Sequence, residues 1–326
     1  MRIFRHYTEL PADVRGGVVA LGNFDGVHLG HQAVIGKAKA LAEKLGVPCG
    51  VMSFEPHPRS VFKPDRPPFR LTPFRIKARL IEEMGLDFLV MQHFDLAFAA
   101  HTAEDFVDQA LVAGLGVRHV VVGYDYEFGK GRSGDGKMLQ AMAAQRGFGV
   151  TLVEPVSTLG GEVYSSTAIR HALVEGNPEE AARILGRWWE IVGRVEHGDA
   201  RGRLIGFPTA NIEMGDYLQP ALGVYAVFVR LDTGAESPGP HLWRPGVANF
   251  GNRPTFDKEG RLLEVHLFDY NGGLYGRHLR VALLSHLRDE RKFESIDALK
   301  SQIVEDCDNA RRILAARCRA GGLGAN

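Results

Sequence analysis

The sequence has 326 residues, enough for two domains at about 100–200 residues each. Lysine plus arginine and aspartate plus glutamate both number 39, so the formal net charge of +0 excludes the cation excess that non-specific nucleic-acid binding needs. The three cysteines, without a CxxC pair, exclude a disulfide framework and are typical of a reducing cytoplasm. We therefore expect a cytoplasmic protein, a monomer or weak oligomer without nucleic-acid or membrane partners.

Strand-like and helix-like segments alternate through the first half of the chain. Predicted strands cover residues 17–21, 47–54, 86–91, 117–123 and 150–156, and predicted helices cover residues 30–45, 73–84, 103–113 and 137–146. This alternation predicts an α/β domain with a parallel sheet. In such sheets ligands bind beyond the carboxyl ends of the strands.

The second half carries short β-patterned runs with no helix between them. They cover residues 190–196, 223–231, 246–250, 262–268 and 278–287, a pattern that predicts a small antiparallel β-barrel. A terminal helix is predicted over residues 295–317, with Ser295 as its N-cap. A short helix that ends at Gly186 places the expected boundary between domains 1–186 and 187–326.

The sharpest motif is Gly22-Asn23-Phe24-Asp25-Gly26-Val27-His28-Leu29-Gly30-His31, which follows a predicted strand and begins a predicted helix. A helix N-terminus offers free N–H groups to phosphate. The two histidines are three residues apart, so both can face one phosphate chain and donate to it. The alternatives are surface histidines at a helix start or half of a metal site. A zinc site needs a further ligand, for which His57 and His101 are candidates.

A second motif, Tyr164-Ser165-Ser166-Thr167-Ala168-Ile169-Arg170, precedes another predicted helix. Its hydroxyls can be ordinary helix caps, or they can form a second phosphate-binding helix start together with Arg170.

Two further segments follow strands of the predicted sheet. Residues 123–134 form a glycine-rich stretch in which Asp125 can bind a ribose hydroxyl or Mg²⁺ and Phe128 can stack on a planar ring. A plain surface loop is the alternative. Residues 54–58 include Phe54, which is either core or ring-contacting, and two prolines that stiffen the loop.

The C-terminal half has a glycine-dense stretch over residues 193–211. Its glycines allow backbone N–H groups to converge on an anion. Thr209 and Asn211 alternate by two, so they share one face of a strand, and their oxygens suit Mg²⁺. The alternative is a β-turn with a polar strand edge.

Glu264 stands among apolar residues of a predicted strand. It is either a solvent-facing carboxylate or a general base toward a hydroxyl. The segment Asn249-Phe250-Gly251-Asn252-Arg253-Pro254-Thr255 supplies a rigid polar loop, and Leu287-Arg288-Asp289-Glu290-Arg291-Lys292-Phe293 is either a solvated turn or a flap beside a ligand.

Together these motifs closely resemble the prokaryotic bifunctional riboflavin kinase/FAD synthetases, whose N-terminal domain is a His-x-Gly-His-type nucleotidyltransferase. The resemblance spans residues 18–314. It implies catalysis by His28 and His31 and ATP binding in the N-terminal domain by Gly22, Phe24, Asp25, Gly30, Asp125, Ser165, Ser166, Thr167 and Arg170. It also implies flavin contacts at Phe54, Pro56, Pro58 and Phe128.

In the C-terminal half, the same resemblance implies a riboflavin kinase. Glu264 is then the base, Thr209 and Asn211 hold Mg²⁺, ATP contacts Gly198, Arg203, Gly206 and Pro208, and the flavin contacts Asn249, Arg253 and Arg288. The expected substrates and products are ATP, riboflavin, FMN and FAD. Two departures from the family pattern, Trp188-Trp189 and Tyr126, leave its charged and metal-binding groups intact.

Two other functions stay open at this point. The N-terminal motifs alone fit an adenylyltransferase for another mononucleotide, which the kinase-like second half disfavours. A non-catalytic flavin-binding protein is disfavoured by the intact His28, His31, Thr209, Asn211 and Glu264.

Overall fold

The computed structural model describes residues 1–157, 161–197, 202, 205–232, 243–252 and 261–319. The chain folds into two compact units. The first comprises Met1–Pro67 and Thr72–Ser166, and the second comprises Pro68–Leu71 together with the described residues from Thr167 onward. In the described part of the chain, no helix is both long and apolar enough to cross a membrane.

The first unit is built on a six-stranded sheet in which every neighbouring pair is parallel. Its strands are β1 (Arg2–Phe4), β2 (Val18–Leu21), β3 (Cys49–Glu55), β4 (Phe88–His93), β5 (His119–Gly123) and β6 (Gly149–Val153). All four residues of β2 are buried, as expected where helices cover both faces of a sheet. The predicted parallel sheet is confirmed, with β1 as a further edge strand that the sequence pattern did not indicate.

The strand order β1-β4-β3-β2-β5-β6 contains a switch of direction. From β2 the chain proceeds through β3 and β4 toward one edge, whereas β5 and β6 extend toward the other. Such a switch point opens a crevice at the carboxyl ends of the two central strands. The motifs at residues 22–31 and 123–134 follow β2 and β5 respectively, so both lie at this crevice.

Helices connect the strands of the first unit: α1 (Leu29–Leu45), α2 (Pro58–Phe62), α3 (Phe74–Glu83), α4 (Ala103–Asp105) and α5 (Gly136–Arg146). The helix predicted over residues 103–113 differs from expectation, because α4 continues directly as a π-helix over Phe106–Leu115. The buried residues of this π-helix include Phe106, Ala110 and Leu115. They are four and five positions apart, which fits the i→i+5 hydrogen bonds of a π-helix.

The second unit contains a closed barrel of antiparallel strands in the order β10-β11-β8-β7-β12-β9. The strands are β7 (Trp189–Glu196), β8 (Ala210–Glu213), β9 (Gly223–Leu231), β10 (Arg244–Asn252), β11 (Arg261–Leu267) and β12 (His278–Arg288). The predicted barrel is confirmed. The strand that was expected to carry Thr209 and Asn211 is β8, which is short and begins only after Thr209.

Among its described residues, this unit also contains the helices α6 (Ser166–Val174, with Ser166 itself in the first unit), α7 (Pro178–Leu185) and α8 (Ile296–Arg319). Helix α8 begins as predicted, with the Ser295 hydroxyl accepting from the Ala298 N–H at 3.1 Å. Buried residues of α8, among them Ala310 and Leu314, form one cluster with Phe228 of β9 and Val247 of β10. This cluster anchors the helix to the outer face of the barrel.

Candidate active sites

The first candidate site is the loop between β2 and α1. His28 is the N-cap of α1, and its Nδ1 accepts from the His31 N–H at 3.4 Å. Because Nδ1 is an acceptor, the proton of the neutral ring belongs on Nε2. The His28 side chain is buried, with 5% exposure. As the last residue before α1, His28 lies at the helix N-terminus, which is the positive end of the helix dipole.

The two histidines of the motif lie together. Their rings stack with centroids 3.6 Å apart and an interplanar angle of 24°. The ring of Phe24 meets His31 edge-on at 5.2 Å. The structure therefore brings His28 and His31 to one point at the helix N-terminus.

The glycines beside these rings are explained by packing. A Cβ on Gly30 would lie 3.1 Å from His28 Cε1 and 3.3 Å from the Tyr164 carbonyl oxygen, and one on Gly22 would lie 3.0 Å from the Phe24 ring. Any side chain at either position would push on the groups that form the site.

Asp25 is buried and shapes the loop. Its Oδ1 accepts from the Thr72 N–H at 2.9 Å and from the Thr72 hydroxyl at 3.3 Å. The Thr72 hydroxyl in turn accepts from the Gly26 N–H at 2.8 Å. Thr72 was not predicted as a site residue, and the pattern Leu71-Thr72-Pro73 carries no signal for this contact.

The serine-rich motif contributes a contact to the same loop. The Ser166 hydroxyl donates to the Asp25 carbonyl oxygen at 2.7 Å. Ser165 directly precedes α6. Thr167 and Arg170 belong to the second unit, where the Arg170 Nε donates to the Phe69 carbonyl oxygen at 3.0 Å.

The two phenylalanines that were predicted to contact the flavin belong to one packed cluster of the first unit. Phe54 is 8% exposed and its ring lies 5.8 Å from that of Phe94. Phe128 is 7% exposed and stacks against Tyr126 at 5.7 Å. Burial raises the pKa of the Tyr126 hydroxyl above its ordinary value.

The segments after β3 and β5 contain the predicted site residues Pro56, Pro58 and Asp125. Pro58 is the first residue of α2, and the N-cap His57 accepts from the Arg59 N–H at 3.1 Å through Nδ1. The preceding Pro56 stands between β3 and α2, and Asp125 is exposed after β5. Among the described residues, no three histidine, cysteine, aspartate or glutamate side chains gather as metal ligands.

The second candidate site is a polar row across three strands of the barrel. Glu264 of β11 is directly opposite Asn211 of β8 and Asn249 of β10. One residue along each strand, Ile212, Leu263 and Phe250 form the adjacent row, and all three have 0% exposure. Because side chains alternate across a strand, the polar row points away from the barrel interior.

Asn211 has the properties expected of a metal ligand. It is 7% exposed, and its buried Oδ1 accepts no hydrogen bond within the described part of the chain. A buried acceptor of this kind is costly unless something binds it. Amide and hydroxyl oxygens are ligand types that suit a hard cation, so the chemistry of Asn211 and Thr209 fits Mg²⁺.

Thr209 precedes β8 and lies close to the glycine-dense stretch, since a Cβ on Gly202 would be 3.4 Å from its Oγ1. Gly206 has a φ of +93°, which a residue with a side chain rarely adopts. The Pro208 carbonyl oxygen lies 2.8 Å from His266 Nδ1. The predicted ATP and flavin contacts Gly198, Arg203 and Arg253 lie outside the described residues.

Arg288 is held by a carboxylate that was not predicted. Its Nε and Nη2 donate to Asp306 of α8, with the shortest contact at 2.8 Å. Its guanidinium lies 5.6 Å from the Phe293 ring. Asp306 is 4% exposed. In the sequence, Asp306 lies next to Cys307 on the apolar face of the predicted terminal helix. A carboxylate in such a position usually pairs with a cation, so this position was a usable signal for the contact.

Comparisons with known proteins cover both sites. A family model described as FAD synthetase matches residues 10–168, and one described as riboflavin kinase matches residues 185–314. The chain is 44% identical to the bifunctional riboflavin kinase/FMN adenylyltransferase of Escherichia coli (strain K12), over 95% of this chain and 97% of that protein. It is 42% identical to the protein of the same name from Pseudomonas fluorescens, over 97% and 98% of the two chains.

A solved structure also matches along nearly the whole chain. It is described as a macrolide-efflux protein from Streptococcus pneumoniae, is 32% identical, and superposes with a TM-score of 0.82 over 95% of this chain and 98% of that one. This match supports the fold, while the two family models and the named relatives agree on the enzyme class. The chain therefore belongs to the family of bifunctional riboflavin kinase/FMN adenylyltransferases.

Proposed function

We propose that the chain converts riboflavin to FMN with ATP in its C-terminal domain, residues 187–326, and FMN to FAD with a second ATP in its N-terminal domain, residues 1–186. The second reaction releases pyrophosphate. The observation that carries this proposal is the presence of two separate polar sites, one in each unit, in a chain whose two halves match the two enzyme families. An adenylyltransferase for another mononucleotide would have no use for the second site.

In the adenylyl transfer, an oxygen of the FMN phosphate attacks the α-phosphorus of ATP, and the bond to the pyrophosphate oxygen breaks. The protein has to position the two substrates and stabilise the charge that spreads over the phosphoryl oxygens. The N-terminus of α1, with His28 as its N-cap and His31 stacked upon it, offers N–H donors to those oxygens. Ser165 and Ser166 of the first unit are proposed to hold the remaining phosphates, and the family resemblance implies the same role for Thr167 and Arg170.

In the kinase reaction, the 5′-hydroxyl oxygen of the ribityl chain attacks the γ-phosphorus, and ADP leaves. Glu264 accepts the hydroxyl proton as a general base. Its position opposite Asn211 and Asn249 supports this role, because all three side chains share one face. Thr209 and Asn211 would hold Mg²⁺, which when bound neutralises charge on the ATP phosphates.

The protein is further proposed to be a cytoplasmic monomer or weak oligomer that acts on small molecules, without nucleic-acid partners. Support comes from the balanced charge of 39 basic and 39 acidic residues. It also comes from Cys49 and Cys307, which are buried thiols rather than disulfides. Sedimentation of the purified protein over a range of concentrations tests the oligomeric state.

The activities are tested by incubating the protein with riboflavin, Mg²⁺ and ATP and separating the flavins over time. FMN is expected first and FAD second. Glu264→Gln should lower FMN formation by about 10²–10⁴-fold, the usual contribution of a general base, and leave FAD formation from supplied FMN intact. His28→Ala should lower FAD formation by about 10²–10³-fold and leave FMN formation intact.

Glu213→Gln is the matched control for the kinase site, because Glu213 lies on the same strand as Asn211 but is exposed and outside the polar row. It should change neither step. If Glu264→Gln and His28→Ala each abolish both steps while remaining folded, the assignment of one reaction to each site is wrong.

A further inference from the structure

The loop that leads into His28 has an uncommon backbone. Phe24, Gly26 and Val27 have φ values of +47°, +97° and +43°. Two of these three residues carry side chains, for which left-handed backbone is unfavourable. Such a conformation persists only where the surrounding structure fixes it, so the contacts that hold this loop are the contacts that hold the site.

Two side chains hold Asn23, the residue before the first left-handed position of the loop. Lys77 Nζ donates to the Asn23 carbonyl oxygen at 2.6 Å, and the Ser53 hydroxyl donates to the same oxygen at 3.1 Å. Lys77 Nζ also lies 3.2 Å from the Ser53 hydroxyl oxygen. All three residues belong to the first unit, and the Asn23 carbonyl oxygen is therefore fixed just before the chain turns left-handed.

Lys77 is fully buried, with 0% exposure. Lysine is among the residues that are least often buried, because removing an ammonium group from water is costly. Its helix neighbours on the buried face, Leu80 and Ile81, are apolar, and packing alone would favour an apolar residue at position 77 as well. The retained ammonium thus indicates a role in the loop that it contacts.

We propose that Lys77 is a positioning residue of the adenylyl-transfer site: through the Asn23 carbonyl oxygen it orders the loop that directs His28 and the N-terminus of α1 toward a polyphosphate. This inference rests on the proposed function of that site. The ligand class is a triphosphate or pyrophosphate anion, which a preorganised loop binds without first having to order the backbone.

The test compares Lys77→Met, which keeps the length of the side chain but removes its donors and charge, with Ser53→Ala, which removes one donor to the same oxygen and keeps the ammonium. The readouts are the Kd for pyrophosphate by calorimetry, and the KM for ATP and kcat of FAD formation, all well below the melting temperature. Kinase activity of the same chain is the internal control.

Lys77→Met should weaken pyrophosphate binding and lower kcat of FAD formation by about 10²-fold, since a misplacement of about 1 Å in an active site costs that much. Kinase activity should be unchanged. Ser53→Ala should cost less than about tenfold, the effect of one neutral hydrogen bond. A folded Lys77→Met protein with wild-type pyrophosphate affinity and kcat would overturn the proposal, because a purely structural lysine affects only the melting temperature.

If Lys77→Met fails to fold, Lys77→Leu, which also removes the donors and resembles the apolar neighbours Leu80 and Ile81, is measured by the same criteria. A wild-type protein that makes no FAD contradicts the proposed function, whereas wild-type pyrophosphate binding in the Lys77 variant contradicts the role of Lys77.

Discussion

At the scale of single residues, Asn211 in the polar row of the barrel is expected to serve function at a cost in stability. The buried Oδ1 of Asn211 accepts no hydrogen bond among the described residues, and an unsatisfied buried polar atom costs about 1–3 kcal/mol of folding free energy. A cation that binds there would recover this cost. The proposed Mg²⁺ site would then be an example of the conflict between activity and stability that is common in enzymes.

Asn211→Leu is predicted to abolish kinase activity without lowering the melting temperature. The loss should exceed about 100-fold, because even residues that only support a metal ligand contribute about 10–100-fold. Leucine fills a similar volume and leaves no polar atom unsatisfied. Activity as a function of Mg²⁺ concentration, together with thermal unfolding in the absence of ligands, checks both parts.

For this variant, FAD formation from supplied FMN is the control and should be unaffected. A large drop in melting temperature would mean that the amide of Asn211 is bonded for structural reasons. An unchanged response to Mg²⁺ would mean that Asn211 is not a ligand.

The cysteines differ in their accessibility to alkylating reagents. Burial, with a further contribution from Asp87, raises the pKa of the Cys49 thiol to about 12. Burial and Asp306 raise that of Cys307 to about 11. Since the thiolate is the reactive form, both groups should stay unreactive in the folded protein near neutral pH, whereas Cys318, which is partly exposed, should react first.

Timed labelling with iodoacetamide and peptide mass spectrometry measures this order. The two buried thiols should gain reactivity only on unfolding, where their pKa values return to the ordinary range of about 8–9. Labelling of Cys49 in the folded protein at the rate of Cys318 would contradict the packing of β3.

At the scale of elements, α1 offers a direct comparison of two glycines. Gly36 is exposed within the helix, and a Cβ there would meet nothing within 4 Å. Gly46 is the C-cap with φ +63°, and its N–H donates to the Ala42 and Glu43 carbonyl oxygens. A Cβ at Gly46 also has open space, so the two positions differ in backbone conformation and not in crowding.

Gly36→Ala is predicted to stabilise the first unit by about 0.5–1 kcal/mol, because alanine loses less backbone entropy on folding than glycine does. Gly46→Ala should destabilise it by about 1–2 kcal/mol, the cost of left-handed backbone for an L-residue. Urea unfolding of the full chain, followed by circular dichroism, gives both free energies. Equal effects of the two substitutions would contradict the helix end at Leu45.

The elements also show what sequence patterns can and cannot predict. The valine-rich strands and the motif before α1 were predictable, because their signals are local: a continuous apolar run, and a glycine-rich turn between a strand and a helix. The expectation that Thr209 and Asn211 share one face of a strand stays a prediction, because β8 begins only at Ala210. The alignment of Asn211 with Glu264 was not predictable, because strand register depends on the packing of the whole barrel.

Two supports of the N-terminal site escaped prediction for a similar reason. Lys77 and Thr72 are distant in sequence from the loop that they hold. A lysine on the apolar face of α3, with Leu80 and Ile81 one turn later, was a usable signal. The contacts of Thr72 with Asp25 had none, since they follow from the folded course of the chain.

At the scale of the whole molecule, the two units divide the chemistry. The first presents a helix N-terminus at the switch point of a parallel sheet, a place where nucleotides commonly bind. The second presents a carboxylate and two amides on one face of a closed barrel. The product of the proposed kinase reaction, FMN, is the substrate of the proposed adenylyl transfer, so one chain would carry out both steps.

The most direct test of this division mixes two full-length variants. With riboflavin and ATP, His28→Ala alone should accumulate FMN and Glu264→Gln alone should leave riboflavin unchanged, whereas an equimolar mixture should produce FAD. FAD from the mixture means that the two sites work independently and that free FMN passes between molecules. A mixture of folded variants that makes no FAD, although each variant retains its own single step, would contradict the account of two independent sites.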